Sequence, residues 1–271
     1  MTSSADPTAS PPVLLDVTAG IARITLNRPD RGNALNQPMA DALLSAALRV
    51  ANDTEIRCVI LTGAGRMFCV GGDIGDFAGN SVGTGAFLGR LAGTLHQAMQ
   101  LLASMPKPMI CLVNGPAAGA GLSMAISGDI VLAHPSAHFT AAYLGIGLTP
   151  DGGMTWLFPR LVGMRLAQEI ILTNRRIGAE EAASIGLVTR VVAEDGLDTE
   201  GSEVVSRLAS GAVAAMGASR RLLQDSFASG LAGQMDRELA SIAAAGEGAE
   251  GREGISAFLA RRPPDLSLIH I

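Results

Sequence analysis

The sequence predicts an α/β protein, a layered strand–helix core followed by a helical C-terminal region. Three observations carry this. Short apolar runs with strand character alternate with amphipathic helical stretches over the first half. From Gly152 onward the pattern is mostly helical. Apolar residues make up 48% of the 271 positions while aromatics make up 3%, so Ala, Val, Ile, Leu and Met can fill one sizeable core with few rings.

The elements follow in order. Val13 to Val17 and Ile21 to Leu26 read as strands joined at Ala19-Gly20, a hairpin. Met39 to Val50 places Met39, Leu43, Ala46, Ala47 and Val50 on one helical stripe. Cys58 to Leu61 is a buried strand, and Gly63 to Gly75 a glycine-rich loop. A helix is expected from about Phe87 to Met105, stopped by Pro106. Met109 to Val113 is a second buried strand, Gly119 to Ser127 a short apolar helix, and Ile130 to Ala133 a strand. Later helices are expected over Ala179 to Ile185, Met216 to Ser229, Leu231 to Ala245 and Arg252 to Arg261.

Composition narrows the function. The formal charge is −5 and no Lys/Arg run has the length of a nucleic-acid arm, so nucleic acid is not an expected partner. Cys58, Cys69 and Cys111 are odd in number and widely spaced, each in an apolar stretch. They read as small buried residues and not as a disulfide framework or a zinc site. Residues 1–12 are rich in Ser, Ala and Pro, lack the basic and apolar blocks of a signal peptide, and read as a floppy leader. No run of 18 apolar residues occurs, so no membrane span is expected and the expected location is the cytoplasm. The expected organisation is a core over residues 13–195, a helical region over 196–264, and an apolar tail over 265–271.

Four loops carry the functional argument. They are Leu26-Asn27-Arg28-Pro29 through Asn33-Ala34-Leu35-Asn36; Phe68-Cys69-Val70-Gly71-Gly72-Asp73-Ile74; Asn114-Gly115-Pro116-Ala117-Ala118-Gly119-Ala120-Gly121; and Gly145 to Gly153, with Thr149-Pro150-Asp151-Gly152-Gly153 leading into Leu157-Phe158-Pro159-Arg160. The second and third follow buried strands and precede helices. Small residues there let backbone N–H groups face a ligand without interference from Cβ, and a helix N-terminus adds partial positive charge. Two N–H groups aimed at one point make an oxyanion hole, worth about 3–4 kcal/mol per donor.

In order, spacing and content, the four loops resemble the crotonase (enoyl-CoA hydratase/isomerase) family, and the resemblance runs from about Val13 to Pro264. It implies a spiral ββα core, a helical C-terminal region that builds a homotrimer or a hexamer of two trimers, and acyl-CoA substrates. Coenzyme A then arrives as part of the substrate, with no resident cofactor and no metal. The resemblance puts the oxyanion N–H groups at Gly72 and Ala120. It puts CoA contacts at Arg28, Ala34, Gly71, Asp73 and Ile74, with Phe258 and Arg261 reaching a neighbouring subunit's CoA.

Hydratases of this family use two glutamates, and here those positions hold Ser123 and Tyr143. Adding water needs both a base and an acid, so ordinary hydration is not expected. The acid that remains is Asp151, whose segment resembles the isomerase branch, both the epoxy-phenylacetyl-CoA ring-opening isomerases and the Δ3,Δ2-enoyl-CoA isomerases. One carboxylate suffices there, because the proton removed returns elsewhere on the same substrate. Other readings stay open. Pro-Asp-Gly-Gly before a helix is also what an N-cap looks like. An aryl-CoA dehalogenase would use Asp151 as nucleophile with an aromatic residue at Tyr143 and His96 activating water. Gly121 to Ala125 approaches a serine nucleophile elbow, and Gly63-Ala64-Gly65 the first half of a dinucleotide loop. A non-catalytic acyl-CoA binder is the alternative outside catalysis.

Overall fold

The computed structural model describes residues 10–78 and 83–266. Most of the expected leader and the end of the tail therefore lie outside the described residues. The chain opens with a hairpin, β1 (Val13–Thr18) and β2 (Ile21–Leu26). Ala19 and Gly20 both have positive φ, 50° and 75°, the two-residue turn whose twist matches that of the paired strands. β2 alternates, with Ala22, Ile24 and Leu26 inward.

Then come α1 (Gln37–Asn52), β3 (Cys58–Gly63), α2 (Ile74–Ala78), α3 (Thr84–Ser104) and β4 (Met109–Val113). Asn36 caps α1, accepting from the Met39 N–H at 3.1 Å. The next elements are β5 (Ala117–Ala118), α4 (Ala120–Ala125), β6 (Ile130–Ala133) and β7 (His138–Thr140). α5 (Met154–Val162), α6 (Met164–Thr173), β8 (Ile177–Gly178), α7 (Ala179–Ser184) and β9 (Arg190–Val191) follow. The chain closes with α8 (Leu197–Ala209), α9 (Val213–Ser226), α10 (Leu231–Glu247) and α11 (Ala249–Leu259).

The main sheet runs β1-β2-β3-β4-β6-β9, parallel except for the opening hairpin, and a small sheet runs β5-β7-β8. β3 and β4 are covered on both faces, as interior parallel strands must be. Val59, Leu61, Met109, Cys111 and Val113 face the larger core with α1 and α3. Cys58, Ile60, Ile110 and Leu112 face a second core closed by Val205 and Ala209 of α8. The three cysteine thiols are buried, and loss of solvent pushes each up to about 12.

The helical ends are tied to this sandwich. Arg57 donates to the carbonyls of Ala209, Gly211 and Leu266 at 2.6–2.9 Å. Glu250 of α11 accepts the Ala214 and Ala215 N–H groups at the start of α9, a carboxylate at the positive end of a helix. Arg220 of α9 pairs with Asp129 at 2.7 Å. Among the described residues, no helix is long and apolar enough to cross a membrane.

Some expected bounds move. α9 starts at Val213 and α11 ends at Leu259, so Arg261 lies just past the last helix, in left-handed backbone at φ 53°. The expected long loop after β3 is stitched by single bridges, Leu35 to Gly72 and Cys69 to Ala117, and ends where α2 begins at Ile74.

Candidate active site

Asn33 holds the first loop against the second. It is fully buried and left-handed at φ 55°. Its side-chain oxygen accepts the Arg28 N–H at 2.8 Å, and its amide donates to the carbonyls of Ala64, Met67 and Phe68 at 2.7–3.1 Å. The sequence reading quoted Asn33 only as part of a motif. The signal for its role is an asparagine, a residue that tolerates positive φ, directly after Gly32.

That clamp sets the direction of Gly72. Leu35 donates to the Gly71 carbonyl at 2.7 Å and accepts from the Asp73 N–H at 2.8 Å. In a parallel bridge of this kind the residue between, Gly72, turns its own N–H to the opposite side. The second loop is likewise stitched to the third. Cys69 donates to Pro116 at 3.2 Å and accepts from the Ala118 N–H at 2.9 Å. Gly119 donates to Thr140, leaving Ala120 as the first residue of α4. Among the described residues, neither the Gly72 nor the Ala120 N–H has a protein acceptor. Both residues line one cavity of about 320 Å³.

Asp151 lines the same cavity. Its Oδ1 accepts a short hydrogen bond from the Tyr143 hydroxyl. Burial first, and the neighbouring Asp151 charge second, push the Tyr143 phenol well above its ordinary value, so at neutral pH it stays a donor. The cap reading of Asp151 is corrected: Gly153 occupies the N-cap of α5, with no side chain capping that helix. The Asp151 main-chain carbonyl, not its carboxylate, accepts from the Met154 N–H at 3.2 Å.

Ser123 is 1% exposed and donates its hydroxyl to the Asp151 carbonyl at 2.9 Å. No histidine accepts that proton among the described residues, so the nucleophile-elbow reading falls away. Gly65 runs into the 66–73 loop with no helix opening at it, which removes the dinucleotide reading. His96, whose register along its helix the sequence left open, reaches the site: its Nε2 accepts the Gly152 N–H at 3.0 Å and stands 3.8 Å from Asp151 Oδ2.

The remaining expected residues divide. Gly71 and Ile74 line the cavity. Beside it, Arg28 donates to the Ala34 carbonyl and to Asp73 Oδ2, the latter at 3.0 Å. That guanidinium therefore braces the two loops. Phe258 and Arg261 are exposed at the far end of the chain and do not line the cavity.

The chain matches the family described as enoyl-CoA hydratase/isomerase over residues 16–267. It is 38% identical over 256 residues to the 1,2-epoxyphenylacetyl-CoA isomerase of Escherichia coli K12, covering 94% of this chain and 98% of that protein. It is 39% identical over 252 residues to a Rhodobacter capsulatus protein named "Probable enoyl-CoA hydratase", covering 93% and 96%. A crystal structure of an enoyl-CoA hydratase from Polaromonas sp. JS666 superposes with a TM-score of 0.88 at 30% identity, covering 93% of this chain and 98% of that one. With the four loops, the two unpaired N–H groups and the mainly parallel sheet, these likenesses place the chain in the crotonase, or enoyl-CoA hydratase/isomerase, family.

Proposed function

We propose that this protein isomerises an unsaturated acyl-CoA thioester, moving a double bond or opening a strained ring, with Asp151 as the proton shuttle. The observation that carries this is the cavity itself: among the described residues that line it Asp151 is the single acid, and Gly72 and Ala120 stand there with it. With a β,γ-enoyl thioester, the Asp151 carboxylate takes a proton from the α-carbon. The charge moves onto the thioester oxygen, where the Gly72 and Ala120 N–H groups hold it. The same carboxyl then returns the proton to the γ-carbon, so no second acid is needed. Tyr143 fixes Oδ1 and leaves Oδ2 for the transfer. The name of the Escherichia coli relative supports the ring-opening variant of this chemistry.

Coenzyme A enters as part of the substrate, and no resident cofactor is proposed. Gly71 and Ile74, with the Arg28–Asp73–Ala34 brace beside them, form the groove we assign to its adenine and pantetheine. The test is absorbance. A β,γ-enoyl-CoA should gain the conjugated thioester band, whereas an α,β-enoyl-CoA in water should keep it. Binding without turnover on any unsaturated thioester would overturn the reading in favour of a binder. The 3.8 Å approach of His96 to Asp151 favours dehalogenation as the second reading, and halide release from a halo-aryl-CoA would select it.

We also propose that the chain self-associates through α10. Leu231, Met235, Leu239 and Ile242 lie on one face of it, each more than half exposed, and no residue of α10 is buried. We assign this face to a homotrimer, or a hexamer of two trimers, in which Phe258 and Arg261 reach a neighbour's CoA. Sedimentation should give a species of three or six chains. A monomer at micromolar concentration would refute the assembly.

A further inference from the structure

Asp151 sits in a loop, ahead of two glycines in left-handed backbone, Gly152 at φ 62° and Gly153 at φ 81°. Glycine accepts either sign of φ. A peptide group ahead of one can therefore turn over at small steric cost, and the direction of the Asp151 side chain would turn with it. Here both polar ends of the Asp151–Gly152 peptide are tied. Its carbonyl accepts from the Ser123 hydroxyl at 2.9 Å and from the Met154 N–H at 3.2 Å. Its N–H donates to His96 Nε2 at 3.0 Å.

That last bond fixes the state of the imidazole. A main-chain N–H can only donate, so Nε2 must offer a lone pair, and the one proton of the neutral ring sits on Nδ1. An imidazolium has no lone pair to offer. A protonated Nε2 would find an acceptor in Asp151 Oδ2, now 3.8 Å away and beyond hydrogen-bond reach. Tyr143 holds the other oxygen, Oδ1. One proton on His96 would thus release the Gly152 N–H and draw the ring onto the oxygen left for proton transfer.

The other charges around the ring are already engaged. Asp129, which lines the space beside His96, is paired with Arg220 of α9 at 2.7 Å. On α5, Arg160 lies 4.2 Å over the Trp156 ring. On α1, which packs along α3, Asp41 accepts from Gln37 at 2.8 Å. α4 carries no ionisable side chain, and the Tyr143 phenol is held neutral. The Asp151 carboxylate is the charge that the ring answers to.

We propose that His96 is a positioning residue: neutral and protonated on Nδ1, it holds the Asp151–Gly152 peptide so that Oδ2 faces the substrate, and its protonation switches turnover off. This rests on the proton-shuttle reading of Asp151. It differs from the dehalogenase reading, in which His96 would use the Nε2 lone pair on water and would first have to release Gly152.

Turnover of a β,γ-enoyl-CoA by the full chain, followed from about pH 8 to about pH 5 where histidine changes charge, tests this. At the upper end His96→Ala should lower kcat by roughly 10–10²-fold, the scale of a misplaced reacting group. Calorimetry with butyryl-CoA should give a Kd near wild type. His96→Gln places an amide oxygen where Nε2 stands and should recover most of the loss. Wild-type kcat should fall as the pH drops, and the glutamine variant, which cannot titrate, should lose that acid limb. Nitrogen spectra of histidine-labelled protein give a readout apart from activity. The His96 signals, identified by their absence from the glutamine variant, should show an unprotonated Nε2 at the upper pH. Wild-type kcat in His96→Ala, an acid limb unchanged in His96→Gln, or a protonated Nε2 overturns the proposal. If a thermal melt shows His96→Ala to be poorly folded, the glutamine profile and the nitrogen spectrum decide. Full turnover in Asp151→Asn would remove the shuttle reading and this inference with it, whereas a dispensable His96 beside an essential Asp151 removes this inference alone.

Discussion

Asp151→Asn should lower isomerase turnover by about 10²–10⁴-fold, the usual worth of a positioned acid–base group, and leave acyl-CoA affinity near wild type. The reasoning is local. Asn keeps the size and keeps an oxygen to accept from Tyr143, whose hydroxyl is half-buried and bonded to Oδ1. It keeps the main-chain carbonyl that holds Ser123 and the Met154 N–H. What it loses is a group able to take a proton. The melting transition should move little, because the carboxylate caps no helix. The measurements are the conjugated-thioester absorbance, calorimetry with a saturated acyl-CoA, and a thermal melt. Full turnover in Asp151→Asn would end the claim that this carboxylate shuttles the proton, and a collapse in stability would make it a structural residue.

The second large effect is expected at Gly121. A Cβ there would stand 2.0 Å from the Cys69 carbonyl oxygen and 2.7 Å from its carbon. Both are backbone atoms, so no side chain can swing aside. Overpacking costs roughly 1–3 kcal/mol, occasionally more, and Gly121→Ala belongs at or above the top of that range. It should also reduce turnover. The Cys69 carbonyl accepts the Ala118 N–H, so pushing α4 away from it parts the loops that carry Gly72 and Ala120. Gly254→Ala is the control: that glycine lies inside α11 with nothing within 4 Å of its Cβ position. There alanine should be neutral or stabilising by up to about 1 kcal/mol through helix propensity. Denaturant midpoints decide the matter, and a wild-type midpoint for Gly121→Ala would show that the contact yields.

What could be read beforehand was what local rules control. The Ala19-Gly20 hairpin, the α1 stripe and the buried runs of β3 and β4 each announce themselves through turn chemistry, a period of 3.6 or an unbroken apolar run. β5, β8 and β9 are two residues each, too short for any period to register. The cap alternative at Asp151 stayed open in the sequence for a related reason. Pro-Asp-Gly-Gly obeys the local capping rule, but Tyr143 claims the carboxylate and Gly153 takes the cap position. The oxyanion candidates were visible only because four loops in order resemble a family. Nothing in Gly71-Gly72 alone says which way an N–H will point; the bridge to Leu35 decides that. His96 was placed on a helix, but its register against the fourth loop depends on how α3 lies against Gly152, which no single-chain pattern encodes.

The two-faced packing of β3 and β4 bears on how the chain can be made. Their second face, with Cys58, Ile60, Ile110 and Leu112, shares a core with Leu132 and Val192 and is covered by α8 through Val205 and Ala209. A nascent chain emerging from the ribosome therefore carries an open apolar sheet for close to a hundred residues after β4 is complete. The strands that must pair in parallel wait for partners far along the chain, a topology that folds slowly and exposes sticky surface meanwhile. A fragment cut at residue 195 would end before α8 and leave that face bare. The strand-rich segment and the first of the helices after it are thus one folding unit, and the seam where strand–helix alternation gives way to helices is not a place where the protein can be divided.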